Sequence, residues 1–327
     1  MENMTLMNWL LLKDIAKQTN FKMRKSYKLK GRTDTMIHTI QSNALKVDIN
    51  PTGAELYSIQ SKKTGTEYLW QGDPAWWGRR APILFPILCS LKNDAYTYNG
   101  KTYNMPKHGF VRDAAFVTRG AEGDKITFEY SDNEETRKIY PFAFLLQIIF
   151  QVEDNRLATT YRVENRGDAT MYFSVGAHEA YRCPREADEA FEDYYLEFDK
   201  DGTYISEQCN SDGLISGKTH TVIENGRVIP LTHQPFAEYD TLIFKNVPSS
   251  RVFLKSKKSA TVVEVDYEDA PHLGIWQRPG APYICIEPWY GLPDEATHDG
   301  RIENKYGIVA LPAGEAFAWK HTIVIHE

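Results

Sequence analysis

Residues 144–175 read FLLQIIFQVEDNRLATTYRVENRGDATMYFSV. Phe144 to Val152 is a nearly continuous apolar run, as in a strand buried on both faces. Leu157, Thr159, Tyr161 and Val163 then alternate with polar residues up to the turn signal Asn165-Arg166-Gly167-Asp168, and Met171, Phe173 and Val175 resume the period of two. The stretch reads as strand, tight turn, strand.

The same period runs outward in both directions. Leu45-Val47-Ile49 and Ile126-Phe128-Tyr130 alternate before it; Leu242–Phe244, Val252–Leu254, Val262-Val263-Val265, Tyr283–Ile286 and Thr322-Val324-His326 follow. After residue 40 no helical stripe persists beyond about 12 residues, and Gly or Pro interrupts the chain at short intervals. The expectation is an all-β protein: one large antiparallel β-sandwich domain over 36–327, with no internal repeat or linker.

Composition narrows the class. With 327 residues, 42% hydrophobic and 13% aromatic, the chain can build a sizeable core, which excludes disorder, collagen and coiled coil. A net charge of -6 has the wrong sign for nucleic acid or an anionic membrane surface. Cys89, Cys183, Cys209 and Cys285 form no C-x-x-C pair, and they read as buried reduced thiols in a cytoplasmic protein. Residues 1–35 stand apart, with eight basic residues against three acidic ones, so the rest of the chain carries -11. Their apolar run Trp9–Leu12 is far short of the ~20 residues a membrane span needs. This segment reads as a helical appendage, a leader or an upstream start, and not as a membrane-binding arm, because its charges do not line one helical face.

Three segments carry ionisable side chains into apolar surroundings: Arg80–Pro86 with Lys107–Asp113, Phe173–Arg182, and Tyr283–Gly291. Glu287 follows an apolar strand and precedes Pro288, so pairing is expected to stop there with the carboxylate close to the core, where burial raises its pKa. A Glu satisfied by a neighbouring amide or Arg fits the same pattern. The adjoining Trp289 favours a sugar, whose apolar C–H face suits an indole while its hydroxyls suit a carboxylate. His178 ends another apolar strand just after Gly176, a place that more often holds a hydrogen-bonded core histidine than a catalyst. His108, between Lys107 and Arg112, sits in an electropositive stretch suited to binding. Two His and a Glu could ligate zinc, but no H-x-x-x-H pair anchors them. Serine-hydrolase, phosphate-loop and dinucleotide motifs are absent, while a glycosidase pairing Glu287 with Asp240 or Asp299 stays open.

The order of these segments resembles the aldose 1-epimerase, or galactose mutarotase, superfamily. It is carried by His108-Gly109-Phe110 with Arg112, by Gly176-Ala177-His178, and by Glu287-Pro288-Trp289 with Gly291-Leu292-Pro293-Asp294; Arg80–Pro86 looks like the LacX-type branch. The resemblance covers about residues 36–327 and implies a galactose-mutarotase-like β-sandwich with a carbohydrate cleft and no cofactor or metal. It implies Glu287 as general base, His178 as general acid and His108 as a charge-stabilising substrate ligand, with Arg80, Arg112, Asp240 and Trp289 as substrate contacts. Two departures stand out: Glu179 where that branch usually has Pro, and Cys89-Ser90 where many relatives carry Gly and a basic residue. The first is expected to act on the His178 pKa.

The implied partner is a monosaccharide, free or phosphorylated, with Arg80, Arg112 and Arg182 as candidate phosphate ligands. The implied reaction removes the anomeric hydroxyl proton and protonates the ring oxygen. That requires Glu287 ionised and His178 protonated, hence a bell-shaped pH profile. A carbohydrate-binding or sensing module without catalysis is the rival from another class.

Overall fold

The computed structural model describes residues 36–327. The basic segment 1–35 lies outside the described residues.

Strands dominate, and the expected apolar runs form them. The largest sheet has 14 strands, and the strand Tyr194–Cys209 is its turning point. The first part of that strand pairs with Arg251–Ser256, from which the ladder continues through Val262–Asp266, Ala316–His326, Arg156–Asn165 and Phe144–Glu153. Its last part pairs with Thr241–Lys245, and that ladder continues through His272–Trp276 to Tyr283–Tyr290. Register shifts around Gly202 let one strand serve both ladders. A single apolar cluster then takes side chains from both, with Ile148, Tyr161, Val263 and Ile323 from one and Phe244, Leu273, Ile275 and Ile286 from the other. The molecule is a large antiparallel sandwich, as the period-two runs lead one to expect.

Two local readings change. Asn165-Arg166-Gly167-Asp168 does turn the chain, but the following strand Met171–Phe173 pairs with Val309–Leu311 and not with the strand before the turn. The hairpin instead closes across Asp154-Asn155, joining Phe144–Glu153 to Arg156–Asn165, with Asp154 at φ 47°. Pro288 also fails to end its strand, which runs on to Tyr290. Pro288 stands opposite Leu273 on one side, and on the other needs only its carbonyl, which accepts the Ala177 N–H at 3.1 Å. A ladder position that uses only the carbonyl tolerates proline.

Candidate active site

The site grows out of that proline. Gly176 pairs with Trp289 and Glu179 with Ile286, so in the same antiparallel count His178 falls directly opposite Glu287. Directly opposed residues keep their Cβ atoms about 5 Å apart on one face of the sheet. His178 Nε2 accordingly lies 3.4 Å from Glu287 Oε2. Glu287 is 1% exposed and His178 7%. Alternation sends Tyr283, Cys285, Glu287 and Trp289 to this face and Ile284 and Ile286 into the core.

His108 arrives from a loop locked against the opposite wall. Its N–H donates to Cys89 O at 2.9 Å, and its Nδ1 accepts the Cys89 N–H at 3.1 Å. The neutral ring therefore carries its hydrogen on Nε2. The next residue must be glycine: at φ +71°, a Cβ on Gly109 would stand 2.1 Å from Phe85 O. The His108 and His178 rings meet edge to face at 5.6 Å.

Indoles wall this floor. Trp77 stacks on the His178 ring at 4.9 Å, and Trp276 meets it edge-on at 5.7 Å. Trp276 Nε1 donates to Asp240 Oδ1 at 3.3 Å, with Asp240 held at φ 62° just after the helix Gln234–Tyr239. Trp289 lies deeper, 1% exposed and packed on Leu88 and Ile243. It fits flat against the sheet because Gly176 and Gly274 lack side chains; a Cβ there would approach its ring to 2.6 and 2.4 Å.

The arginines divide. Arg80 sits over the Tyr57 ring at 3.9 Å and donates to Tyr57 O and Gln71 Oε1, so its guanidinium is engaged away from the imidazoles. Arg79, its neighbour, joins Lys107 and Arg112 as the charges bearing most strongly on His178. Arg79 also pairs with Asp113 at 2.8 Å, and Arg112 Nε is buried without a hydrogen-bond partner among the described residues. Asp299 lies elsewhere, with its carboxylate accepting from Arg301 N at 2.8 Å and Asn304 Nδ2 at 2.6 Å.

Burial, reinforced by Lys107, Arg112 and Arg79, pushes the His178 pKa down to about 3. Burial first, then the adjacent His178, holds His108 well below the usual imidazole range. Burial raises Glu287 well above the carboxylate range, with Lys107 opposing and Glu179 and Asp240 reinforcing the shift. Both shifts run against the expected ion pair, since burial favours the neutral carboxyl of Glu287 and the neutral imidazole of His178.

Glu179 does not face His178. It points to the opposite side of the strand, where Oε1 lies 3.2 Å from His321 Nε2 in the sandwich interior, and its charge acts on Glu287. The residues that the sequence missed are Trp77, Trp276 and Arg79. Trp276 had a signal, since alternation along His272-Leu-Gly-Ile-Trp276 puts Gly274 and Trp276 on one face. Trp77 and Arg79 lie in a segment without regular strand, where no period exists to read.

The antiparallel sandwich thus gathers a carboxylate, two imidazoles and two indoles at one place on its strands. The chain belongs to the aldose 1-epimerase family, which matches residues 36–319. It is 33% identical over 275 residues to the LacX protein of Lactococcus lactis subsp. lactis, covering 81% of this chain and 91% of that one. Among solved structures it is similar to a galactose mutarotase related enzyme from Lactobacillus acidophilus, 37% identical with a TM-score of 0.85, over 89% of this chain and 98% of that one. A galactose mutarotase-like protein from Lactobacillus casei is 31% identical with a TM-score of 0.84, over 89% and 100% of the two chains.

Proposed function

We propose that this protein is an aldose 1-epimerase, interconverting the α and β anomers of a hexose by acid–base ring opening and reclosure in the cytoplasm. The observation that carries the reading is the buried Glu287–His178 pair at 3.4 Å beside half-buried Trp77 and Trp276.

The pair holds one proton in two arrangements, and the reaction moves it between them. With Glu287 ionised and His178 protonated, the carboxylate takes the proton of the anomeric hydroxyl while the imidazolium delivers one to the ring oxygen. The bond from C1 to the ring oxygen breaks, its electron pair leaves with that oxygen, and C1 becomes an aldehyde. The protein is left with a neutral carboxyl and a neutral imidazole, the arrangement that burial favours. It therefore matches the open-chain state better than the cyclic one, in keeping with a site complementary to the high-energy part of the path. Rotation about C1–C2 and reversal of the two transfers give the other anomer. His108 Nε2–H donates to the ring oxygen as it gains charge, and Asp240 and Arg112 contact hydroxyls.

The cations Lys107, Arg112 and Arg79 around both imidazoles favour a second reading within the same chemistry, a hexose 6-phosphate as substrate. Polarimetry on a pure anomer tests the first reading: Glu287→Gln and His178→Asn are each expected to lose ~10² to 10⁴-fold. Wild-type rates in both variants would overturn it, and sugar binding without accelerated interconversion would assign the protein to carbohydrate binding instead. Comparing glucose with glucose 6-phosphate decides the second.

A further inference from the structure

Cys285 lies two residues before Glu287 on the same face of the same strand, fully buried and unbridged, and the acid–base reaction gives it no part. One ligand atom from each of His178, Cys285 and Glu287 lies within 4.8 Å of the other two. A tetrahedral zinc ion with bonds of about 2.0–2.3 Å needs its ligand atoms roughly 3.3–3.7 Å apart. The His178–Glu287 separation of 3.4 Å already meets this, and the sulfur has to close by only about 1 Å, within reach of a side-chain adjustment.

The donor chemistry agrees. A thiolate, a carboxylate and a neutral imidazole form a mixed S, O, N set suited to zinc, and their two negative charges balance a divalent ion in a dry site. Two features argue for reversible occupancy over a resident cofactor. His178 Nδ1 has no hydrogen-bond partner among the described residues, so the outer support that fixes a zinc-bound histidine is missing. Lys107, Arg112 and Arg79 also place positive charge beside the imidazole.

We propose that His178, Cys285 and Glu287 form an inhibitory zinc site, in which the ion displaces the sugar by occupying the acid–base pair. As the metal bonds form, the Cys285 thiol and the Glu287 carboxyl release their protons to solvent. The inhibition rests on the epimerase reading; the metal site does not.

The test uses the full chain, with cobalt as a spectroscopic substitute for zinc. Wild type is expected to develop thiolate-to-cobalt charge-transfer absorption that EDTA removes. Cys285→Ala should lose it and Cys89→Ala should keep it. Zinc should inhibit anomer exchange competitively with sugar, and Cys285→Ala, keeping basal turnover, should need at least about tenfold more zinc, equivalent to 1.4 kcal/mol of binding. Cobalt absorption that survives in Cys285→Ala, equal zinc potency in the two proteins, or no thiolate absorption in wild type would each overturn the proposal. A wild type that shows the absorption but no turnover would overturn the epimerase reading and leave the metal site standing.

Discussion

Two carboxylate–imidazole pairs lie on opposite faces of the strands that carry Glu179 and Glu287. Glu287 and His178 lie 3.4 Å apart on one face, and on the core face Glu179 lies 3.2 Å from His321 of the strand Ala316–His326. All four residues are buried, and each pair joins one Glu to one His. What differs is the surroundings. The first pair borders half-buried indoles and three cations that reach the solvent side. The second is enclosed by Tyr161, whose ring stacks on His321 at 5.7 Å, and by Trp319 at 5.5 Å. Pairing and burial therefore do not by themselves define a site; frontage on a surface that can admit a ligand does.

The comparison predicts a double dissociation. The largest effect is the loss of ~10² to 10⁴-fold in anomer exchange for Glu287→Gln, with the fold retained. Glu179→Leu should show the opposite pattern, with turnover per folded molecule largely kept but about 1–3 kcal/mol of stability lost, because the buried His321 ring loses the carboxylate that stands 3.2 Å from its Nε2. Denaturant unfolding measures the second effect, and the double variant Glu179→Leu/His321→Leu should recover much of it. If Glu179→Leu instead abolishes turnover in a fully folded protein, the core pair belongs to the catalytic machinery and the contrast fails.

A smaller effect sharpens the boundary between the two faces. Gly274→Ala places a Cβ 2.4 Å from the Trp289 ring, so the indole must shift, at a cost of about 1–3 kcal/mol. Since Gly274 stands opposite Glu287, the same shift should also disturb the acid–base geometry. A thermal melt unchanged from wild type would mean that Trp289 is not held between the two glycines.

The sequence shows how such faces are, and are not, legible. Period-two runs located the strands because burial on one or both sides leaves that pattern in the chain. Glu287 and His178 stood out as polar residues at the ends of apolar segments and His108 as part of an electropositive stretch, and the fold brings all three together. Strand parity within irregular sequence left no such mark: Arg79 and Arg80 are adjacent, yet only one directs its charge to the imidazoles. Pro288 misled in a different way. Its missing N–H reads as a strand end, whereas a partner that needs only the carbonyl lets the ladder pass through it. The effect of Glu179 was assigned to its chain neighbour His178, but alternation turned the carboxylate into the core and onto a histidine 142 positions away in the sequence.

The weakest contrast between the pairs lies in pH dependence, and its sign follows from the two shifts. His178 is neutral down to about 3 and Glu287 keeps its proton above the ordinary carboxylate value of 4.5, so one proton stays on the pair across a wide interval. Turnover should stay level as pH falls through 6.5, where an ordinary imidazole titrates, and decline only on the alkaline side as the pair loses that proton. An acid limb with an apparent pKa near 6.5 in kcat/KM would show that His178 titrates as an exposed histidine does. Stability follows the same directions. Because the native state holds the Glu287 proton more tightly than the unfolded chain, the stability this group confers is present below 4.5 and is lost as pH rises through its raised native value. Glu287→Gln, which cannot ionise, escapes that loss and should be more stable than wild type at neutral pH while being far less active. A gain in stability at the residue whose removal most damages turnover would mark the cleft pair as shaped for chemistry at a cost to the fold.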